Sequence, residues 1–122
     1  MARVAALVPD LLFGSKVQAA LEQAGHEVDL LSSEPEAWDE AGGIDVLVVD
    51  LTTQELDGVQ LVESLKVGGE LKGTKVLGFF AHVEPEVREA ALAAGFDQVV
   101  PRSRMHREGA ALVSALAGDE AG

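Results

Sequence analysis

The stretch 44–58, IDVLVVDLTTQELDG, constrains the fold more than any other part of this 122-residue chain. Residues 46–49 form an unbroken, mostly β-branched apolar run, which is typical of a strand buried on both faces of a parallel sheet. The run ends at Asp50, and Asp57-Gly58 then leads into a helical pattern. Because open α/β sheets bind ligands just beyond the carboxyl ends of their strands, Asp50 is the first candidate functional residue.

Runs of strand length alternate with helical patterns five times along the chain. Strands are predicted at 3–8, 26–31, 44–50, 75–80 and 98–100. Apolar residues recur at helical spacing after each strand, and Pro85 falls in the first turn of the fourth helix. Right-handed crossovers then predict a doubly wound (βα)5 α/β fold of the flavodoxin-like type, with a parallel five-stranded sheet in the order 2-1-3-4-5 and helices on both faces.

The chain is predicted to form one domain, 1–122, with a core at about 3–117 and an acidic tail at 118–122. No linker, internal repeat or low-complexity stretch divides it. The first residues lack the pattern of a signal peptide, and no apolar stretch is long enough to cross a membrane. We therefore expect a stand-alone cytoplasmic module without membrane contact.

The formal net charge of −12 limits the ligands that such a chain can bind. This field repels phosphate backbones, and one Trp without any Tyr offers few rings for stacking bases, so nucleic-acid binding is not expected. The absence of cysteine excludes disulfides and thiolate metal sites. His26, His82 and His106 lie in separate elements without metal-ligand spacing, although His82 is expected near the Asp50 pocket. No Ser-His-Asp arrangement is legible, so an enzyme is not predicted.

One basic cluster departs from the acidic trend. It lies in PRSRMHRE, at the end of the last strand and the start of the last helix, and comprises Arg102, Arg104, His106 and Arg107. Ser103 is the predicted cap of that helix, whose free N–H groups favour anions, so phosphate or a nucleotide is one possible ligand. The alternatives are a solvated patch that pairs with neighbouring acids, or a docking site for a protein.

The segment 11–14, Leu-Leu-Phe-Gly, is predicted to be an apolar loop before the first helix, which Ser15 would cap. The loop would lie at the carboxyl edge of the sheet, near Asp50. It either packs over the Asp50 pocket or forms a contact surface.

Five βα units in this length, with Asp50 ending the third strand and Asp57-Gly58 seven residues on, resemble a response-regulator receiver domain. The run 93–97, Ala-Ala-Gly-Phe-Asp, is similar to the Ala-Gly-Ala-Asp run of that family. The resemblance implies a CheY-like fold in which the third-strand Asp accepts a phosphoryl group from a histidine kinase. An acidic pair then helps to bind Mg²⁺, while a Ser or Thr, a Lys and an aromatic residue respond to the phosphoryl group.

Carried over by position, the resemblance makes Asp50 the phosphoacceptor. Pro9 stands where one acid of the pair belongs, which leaves Asp10 as the single candidate. The implied metal ligands are Asp10, Asp50 and the backbone carbonyl of Thr52, a weak set for Mg²⁺, which prefers octahedral oxygen coordination. Gln54 stands where the family usually has Pro.

The three switch positions depart from the family pattern. Phe80 replaces the hydroxyl residue and cannot form its hydrogen bond, while Val99 replaces the aromatic residue. Arg102 replaces the Lys, and its planar guanidinium is not equivalent to a compact ammonium group. Arg102 either contacts a phosphoryl group or forms a standing ion pair with Asp50, and the ion pair is the favoured interpretation.

The chain is therefore interpreted as a stand-alone pseudo-receiver that signals through protein contacts without the standard phosphorylation switch. Its expected partners are a histidine kinase or a downstream signalling protein, with a possible homodimer through the fourth helix, fifth strand and fifth helix. The first alternative is a phosphorylatable receiver that uses Asp50 and Mg²⁺. The second is a regulatory domain that binds phosphate or a nucleotide.

Overall fold

The computed structural model describes residues 1–53, 55–81 and 85–118. The strands are β1 Arg3–Leu7, β2 Glu27–Leu31, β3 Val46–Asp50, β4 Lys75–Phe80 and β5 Gln98–Pro101. The helices are α1 Leu11–Gln23, α2 Glu34–Glu40, α3 Gly58–Val67, α4 Pro85–Ala94 and α5 Arg102–Leu116, with a short 3₁₀ turn at Ala41–Gly43. None of these helices is long and apolar enough to span a membrane.

The five strands form one parallel sheet in the order β2-β1-β3-β4-β5. The predicted fold class and strand order are therefore confirmed. β3 lies at the centre, and Asp50 at its carboxyl end pairs in register with Phe79 of β4. The alternation of strands and helices brings the starts of α1, α3 and α5 to this same edge of the sheet, which we call the carboxyl edge.

Two apolar layers cover the sheet, as the continuous apolar strands require. Leu47 and Val49 of β3 join the layer beneath α2, α3 and α4, while Val46 and Val48 join the layer beneath α1 and α5. Side chains alternate between the faces of a strand, so a strand buried on both faces needs an apolar residue at every position. All five residues of β3, including Asp50, are buried.

Two predicted helix caps are wrong. α1 begins at Leu11, and its cap is Asp10 rather than Ser15, because the Asp10 side chain accepts hydrogen bonds from the first turn. The segment 11–14 is helical instead of a loop, since Phe13 turns into the core. At α5 the cap position is Pro101 rather than Ser103, and no side chain caps this helix.

Candidate functional site

Asp50 is held by the chain that follows it. Its side chain is almost completely buried, and Oδ1 accepts hydrogen bonds from the Thr52 backbone N–H at 2.7 Å and from Thr52 Oγ1 at 2.6 Å. A carboxylate that bonds the backbone two residues on forms a local turn, which fixes its orientation. Among the described residues, none donates a hydrogen bond to the other oxygen, Oδ2.

A cavity of about 360 Å³ lies beside this carboxylate. It is lined by Pro9, Asp10, Asp50, Thr52, Thr53 and Glu55. The three acids and two hydroxyls make the lining rich in acceptors, and there is no Lys or Arg among its described residues. This cavity is the candidate functional site, and the structure brings together in it the three residues predicted to hold a metal.

Both oxygens of Asp10 are already engaged. Oδ1 accepts from the backbone N–H groups of Leu12 at 3.0 Å and Phe13 at 3.2 Å, which caps α1. Oδ2 lies 3.3 Å from Arg102 Nη2. The hydrogen bond from Phe13 N–H is the largest cause that lowers the pKa of Asp10, and Arg102 lowers this pKa further. The carboxylate is therefore held in its charged form.

Arg102 pairs with Asp10 and not with Asp50, which corrects the favoured ion-pair prediction. Its guanidinium carbon lies 4.1 Å from the centroid of the Phe13 ring, and that ring packs 5.2 Å from the Phe79 ring. The stack orients the planar guanidinium toward the start of α1, where Asp10 offers an exposed oxygen, while Asp50 is satisfied by its own turn. We call Asp10, Phe13 and Arg102 the clamp.

Mg²⁺ does not fit this arrangement while the clamp is closed. The ion requires near-octahedral oxygen ligands, of which at least one or two are carboxylates. Asp10 has no free oxygen, and one oxygen of Asp50 is taken by Thr52. Within residues 1–53, 55–81 and 85–118, no group of three His, Asp or Glu side chains is placed to hold a metal.

The apolar switch positions belong to the core. Phe80 and Val99 are each 6% exposed and lie in the layer beneath α3 and α4. Phe80 ends β4, and Val99 lies in the adjacent strand β5. The two residues predicted to stand at switch positions are therefore buried apolar side chains of the core.

The arginines of the basic cluster all have protein partners. Arg104 Nε lies 3.3 Å from Glu108 Oε2, and Arg107 Nε donates to the Ser103 carbonyl at 3.4 Å. Arg102 belongs to the clamp. Arg102 and Arg104 thus pair with acids, as the interpretation of a patch paired with neighbouring acids expects, whereas Arg107 bonds a backbone carbonyl. His82 lies outside the described residues.

Leu11 and Leu12 do not cover the Asp50 cavity. They are 68% and 80% exposed, whereas Phe13 is 7% exposed. Of the two alternatives for this segment, the exposure of Leu11 and Leu12 therefore favours the contact surface. Phe13 instead packs in the core.

Sequence reasoning missed the roles of Phe13 and of the Thr52 side chain. Asp50-Leu51-Thr52 has the spacing of an Asp turn closed by a residue two positions on, which is a readable signal. Phe13 follows its cap residue by three positions, as the first inward-facing residue of a helix commonly does. The pairing of Arg102 with Asp10 had no local signal, because 92 residues separate the two.

No family model matches the chain, and no curated protein matches its sequence. Solved structures do match. The receiver domain of the Francisella response regulator 1452 has a TM-score of 0.85 at 21% identity, covering 97% of this chain and 98% of that one.

Two further structures agree. The signal receiver domain of the response regulator NarL from Mycobacterium tuberculosis has a TM-score of 0.82 at 24% identity, over 96% of both chains. The Vibrio cholerae chemotaxis protein CheY4 has a TM-score of 0.84 at 21% identity, over 95% of this chain and 98% of that one. The protein is thus a doubly wound α/β domain. Its fold is that of response-regulator receiver domains, as the resemblance predicted.

Proposed function

We propose that this chain is a receiver-like signalling module that acts through protein contacts and does not use phosphorylation of Asp50 as its switch. The observation that carries the proposal is the clamp. Arg102 stands at the position of the phosphoryl-sensing Lys, yet its guanidinium forms an ion pair with Asp10. Asp10, in turn, is the acid on which a metal site would depend.

The clamp opposes phosphoryl transfer without closing the site. Transfer to a carboxylate requires cations and fixed donors that neutralise the phosphoryl oxygens. To supply them, Arg102 must leave Asp10 and the Phe13 ring, contacts that at an exposed site are together worth about 1–2 kcal/mol. A cost of this size reduces the population of the competent arrangement by about tenfold.

Phe80 and Val99 support the second half of the proposal. A phosphoryl group at Asp50 changes the rest of the domain only if some element interacts differently with it in two states. Phe80 has no donor to offer, and Val99 has no ring to rotate. A phosphorylated Asp50 would therefore have no coupling to α4, β5 and α5.

The partner surface that we propose is the face formed by α4, β5 and α5, for a signalling protein or a second copy of the chain. Leu92 of α4 is 39% exposed, so this helix offers an apolar side chain for a contact. Light scattering from the protein and from Leu92→Glu, between micromolar and millimolar concentration, tests the homodimer. A dimer that Leu92→Glu leaves intact would place the contact elsewhere.

Intact-mass measurement after incubation with a small phosphodonor and Mg²⁺ tests the central proposal. We expect no stoichiometric phosphate adduct. A single adduct that disappears in Asp50→Asn would overturn the proposal in favour of the phosphorylatable receiver.

That second candidate rests on one observation of its own. Asp50 Oδ2 has no protein donor among the described residues, and it borders the cavity of about 360 Å³.

The nucleotide-binding alternative at the basic cluster has less support, because Arg102, Arg104 and Arg107 each have a protein partner. Thermal-shift measurement with phosphates and nucleotides, repeated on Arg104→Gln and Arg107→Gln, tests it.

A further inference from the structure

A second cavity lies at the opposite edge of the sheet, where the strands begin. It has a volume of about 390 Å³ and is formed by the connections from α3 to β4 and from α4 to β5. Lys66, Lys72 and Lys75 line it. The chain has only four lysines, the fourth being Lys16, so three of the four are gathered around one concave surface.

None of these three lysines forms an ion pair within the part of the chain that the structure describes. The described ion pairs involve Arg3, Arg102 and Arg104, and no described Asp or Glu lies within pairing distance of the three ammonium groups. The cavity does contain one acid, Asp97, but its Oδ2 accepts the Val76 backbone N–H at 2.7 Å. In a chain with 21 acidic and nine basic residues, three adjacent unpaired ammonium groups are a marked departure.

Lys66 is positioned toward the cavity by a close packing contact. Its side chain lies over Gly95, such that a Cβ at Gly95 would be 2.8 Å from Lys66 Cδ and 3.5 Å from Nζ. Gly95 has φ +122°, which glycine adopts readily. The absence of a side chain at 95 therefore allows the Lys66 stem to cross from the end of α3 to the turn before β5.

We propose that the Lys66–Lys72–Lys75 cavity binds the phosphate group of a small phosphorylated ligand, such as a nucleotide or pyrophosphate. Lysine ammonium groups are point-charge binders of phosphate. A small ligand is favoured over a polymer because the surface is concave, its volume lies in the range of small-molecule sites, and the net charge of −12 repels extended polyanions. The site is separate from Asp50, so it stands whether or not the proposed function does.

Trp38 offers a natural probe of this cavity. It is the only tryptophan, and its ring lies against Gly68, 3.6 Å from where a Cβ would be, next to Gly69 of the cavity lining. Titrations with inorganic phosphate, pyrophosphate, ADP and ATP are followed by Trp38 fluorescence and by calorimetry. We expect saturable binding of pyrophosphate and the nucleotides that weakens severalfold as salt rises from about 50 to about 200 mM. Equal affinity for pyrophosphate and ADP would assign recognition to the phosphates alone, and tighter ADP binding would add a nucleoside contact.

The variant Lys66→Gln/Lys72→Gln/Lys75→Gln should bind at least about tenfold more weakly. A variant with the same change in charge elsewhere, Arg3→Gln/Lys16→Gln/Arg88→Gln, should bind within about twofold of the original protein. All six side chains are exposed, so both variants should fold, which circular dichroism checks. The proposal is overturned by no binding of any probe at about 10 mM, by equal loss in both variants, or by lysine-dependent binding of a polyglutamate peptide in preference to every phosphate probe.

Discussion

The charged side chains at the two edges of the sheet differ in how far they are bonded to other groups of the protein. At the carboxyl edge, Arg102 pairs with Asp10 and stacks on Phe13, and Asp50 accepts a hydrogen bond from Thr52. The groups that would contact a phosphoryl ligand are therefore already bonded within the protein. At the opposite edge, three lysines face a cavity without any described acid as partner. The comparison shows why position in a fold does not by itself define function. A charged group is available to a ligand only to the extent that the protein has left it unpaired.

The largest expected effect concerns the apolar support of the clamp. Phe13→Ala removes a ring that packs on Phe79 and carries Arg102, so the free energy of unfolding should fall by about 3 kcal/mol. Urea denaturation measures the change. Leu12→Ala, one residue away and 80% exposed, is the matched control and should stay within about 0.5 kcal/mol. Equal losses in the two variants would show that Phe13 has no special part.

The edge with the lysine cavity has a structural polar contact of its own at His26. Its Nδ1 accepts the Ala2 N–H at 3.0 Å, so Nε2 carries the proton and donates to Ser114 Oγ at 2.9 Å. His26→Leu leaves a buried N–H without an acceptor and should lower the free energy of unfolding by about 2 kcal/mol. Ser114→Ala removes one bond only and should cost about 1 kcal/mol. If His26→Leu is no worse than Ser114→Ala, the bond to Ala2 does not contribute.

Sequence reasoning succeeded where the signal was periodic, and it failed at two helix caps and where side chains meet across the fold. The run 46–49 was enough to place the central strand, and the alternation of elements was enough for the strand order. The predicted ion pair between Arg102 and Asp50 was wrong. Asp10 and Asp50 both lie near the same edge of the sheet, and only the stack on Phe13 decides between them. The lysine cavity was not predicted, although Lys66, Lys72 and Lys75 lie close together in the stretch 66–75, because its other wall comes from the connection between α4 and β5.

A smaller effect, dependent on pH, is expected at Glu40, the last residue of α2. Burial raises the pKa of Glu40 to about 7, and the neighbouring carboxylates of Asp29 and Glu36 add to the shift. The folded state therefore binds one more proton than the unfolded state between about pH 4.5 and 7, so stability falls as pH rises through this window. The lowered pKa of Asp10 acts in the opposite sense, but only near and below its ordinary value of 3.8.

Glu40→Gln should remove this dependence. Because Glu40 is partly exposed, we expect a gain of about 1 kcal/mol in the free energy of unfolding at pH 8 and little change at pH 4.5. Denaturation series at both pH values measure it. An equal gain at the two pH values would mean that the charge of Glu40 is not the cause.

The smallest effect on stability is expected from opening the clamp itself. Asp10→Asn keeps the helix cap, since Asn caps as well as Asp, and removes only the ion pair, so the loss should stay below about 1 kcal/mol. Arg102→Gln should cost a similar amount and also release the Asp10 carboxylate. Calorimetry should then detect Mg²⁺ binding that is stronger in Arg102→Gln than in the original protein. Unchanged Mg²⁺ affinity would show that the clamp does not control the carboxylates.

The coupling between Asp50 and the partner face is tested most directly by amide NMR spectra recorded with Mg²⁺ and beryllofluoride, a mimic of the phosphoryl group. We expect any saturable shifts to stay within the Asp50 cavity, at residues such as Thr52 and Thr53, while α4, β5 and α5 are unaffected. Saturable shifts at Val99 and along α5, lost in Asp50→Asn, would instead show that a phosphoryl group at Asp50 switches this face.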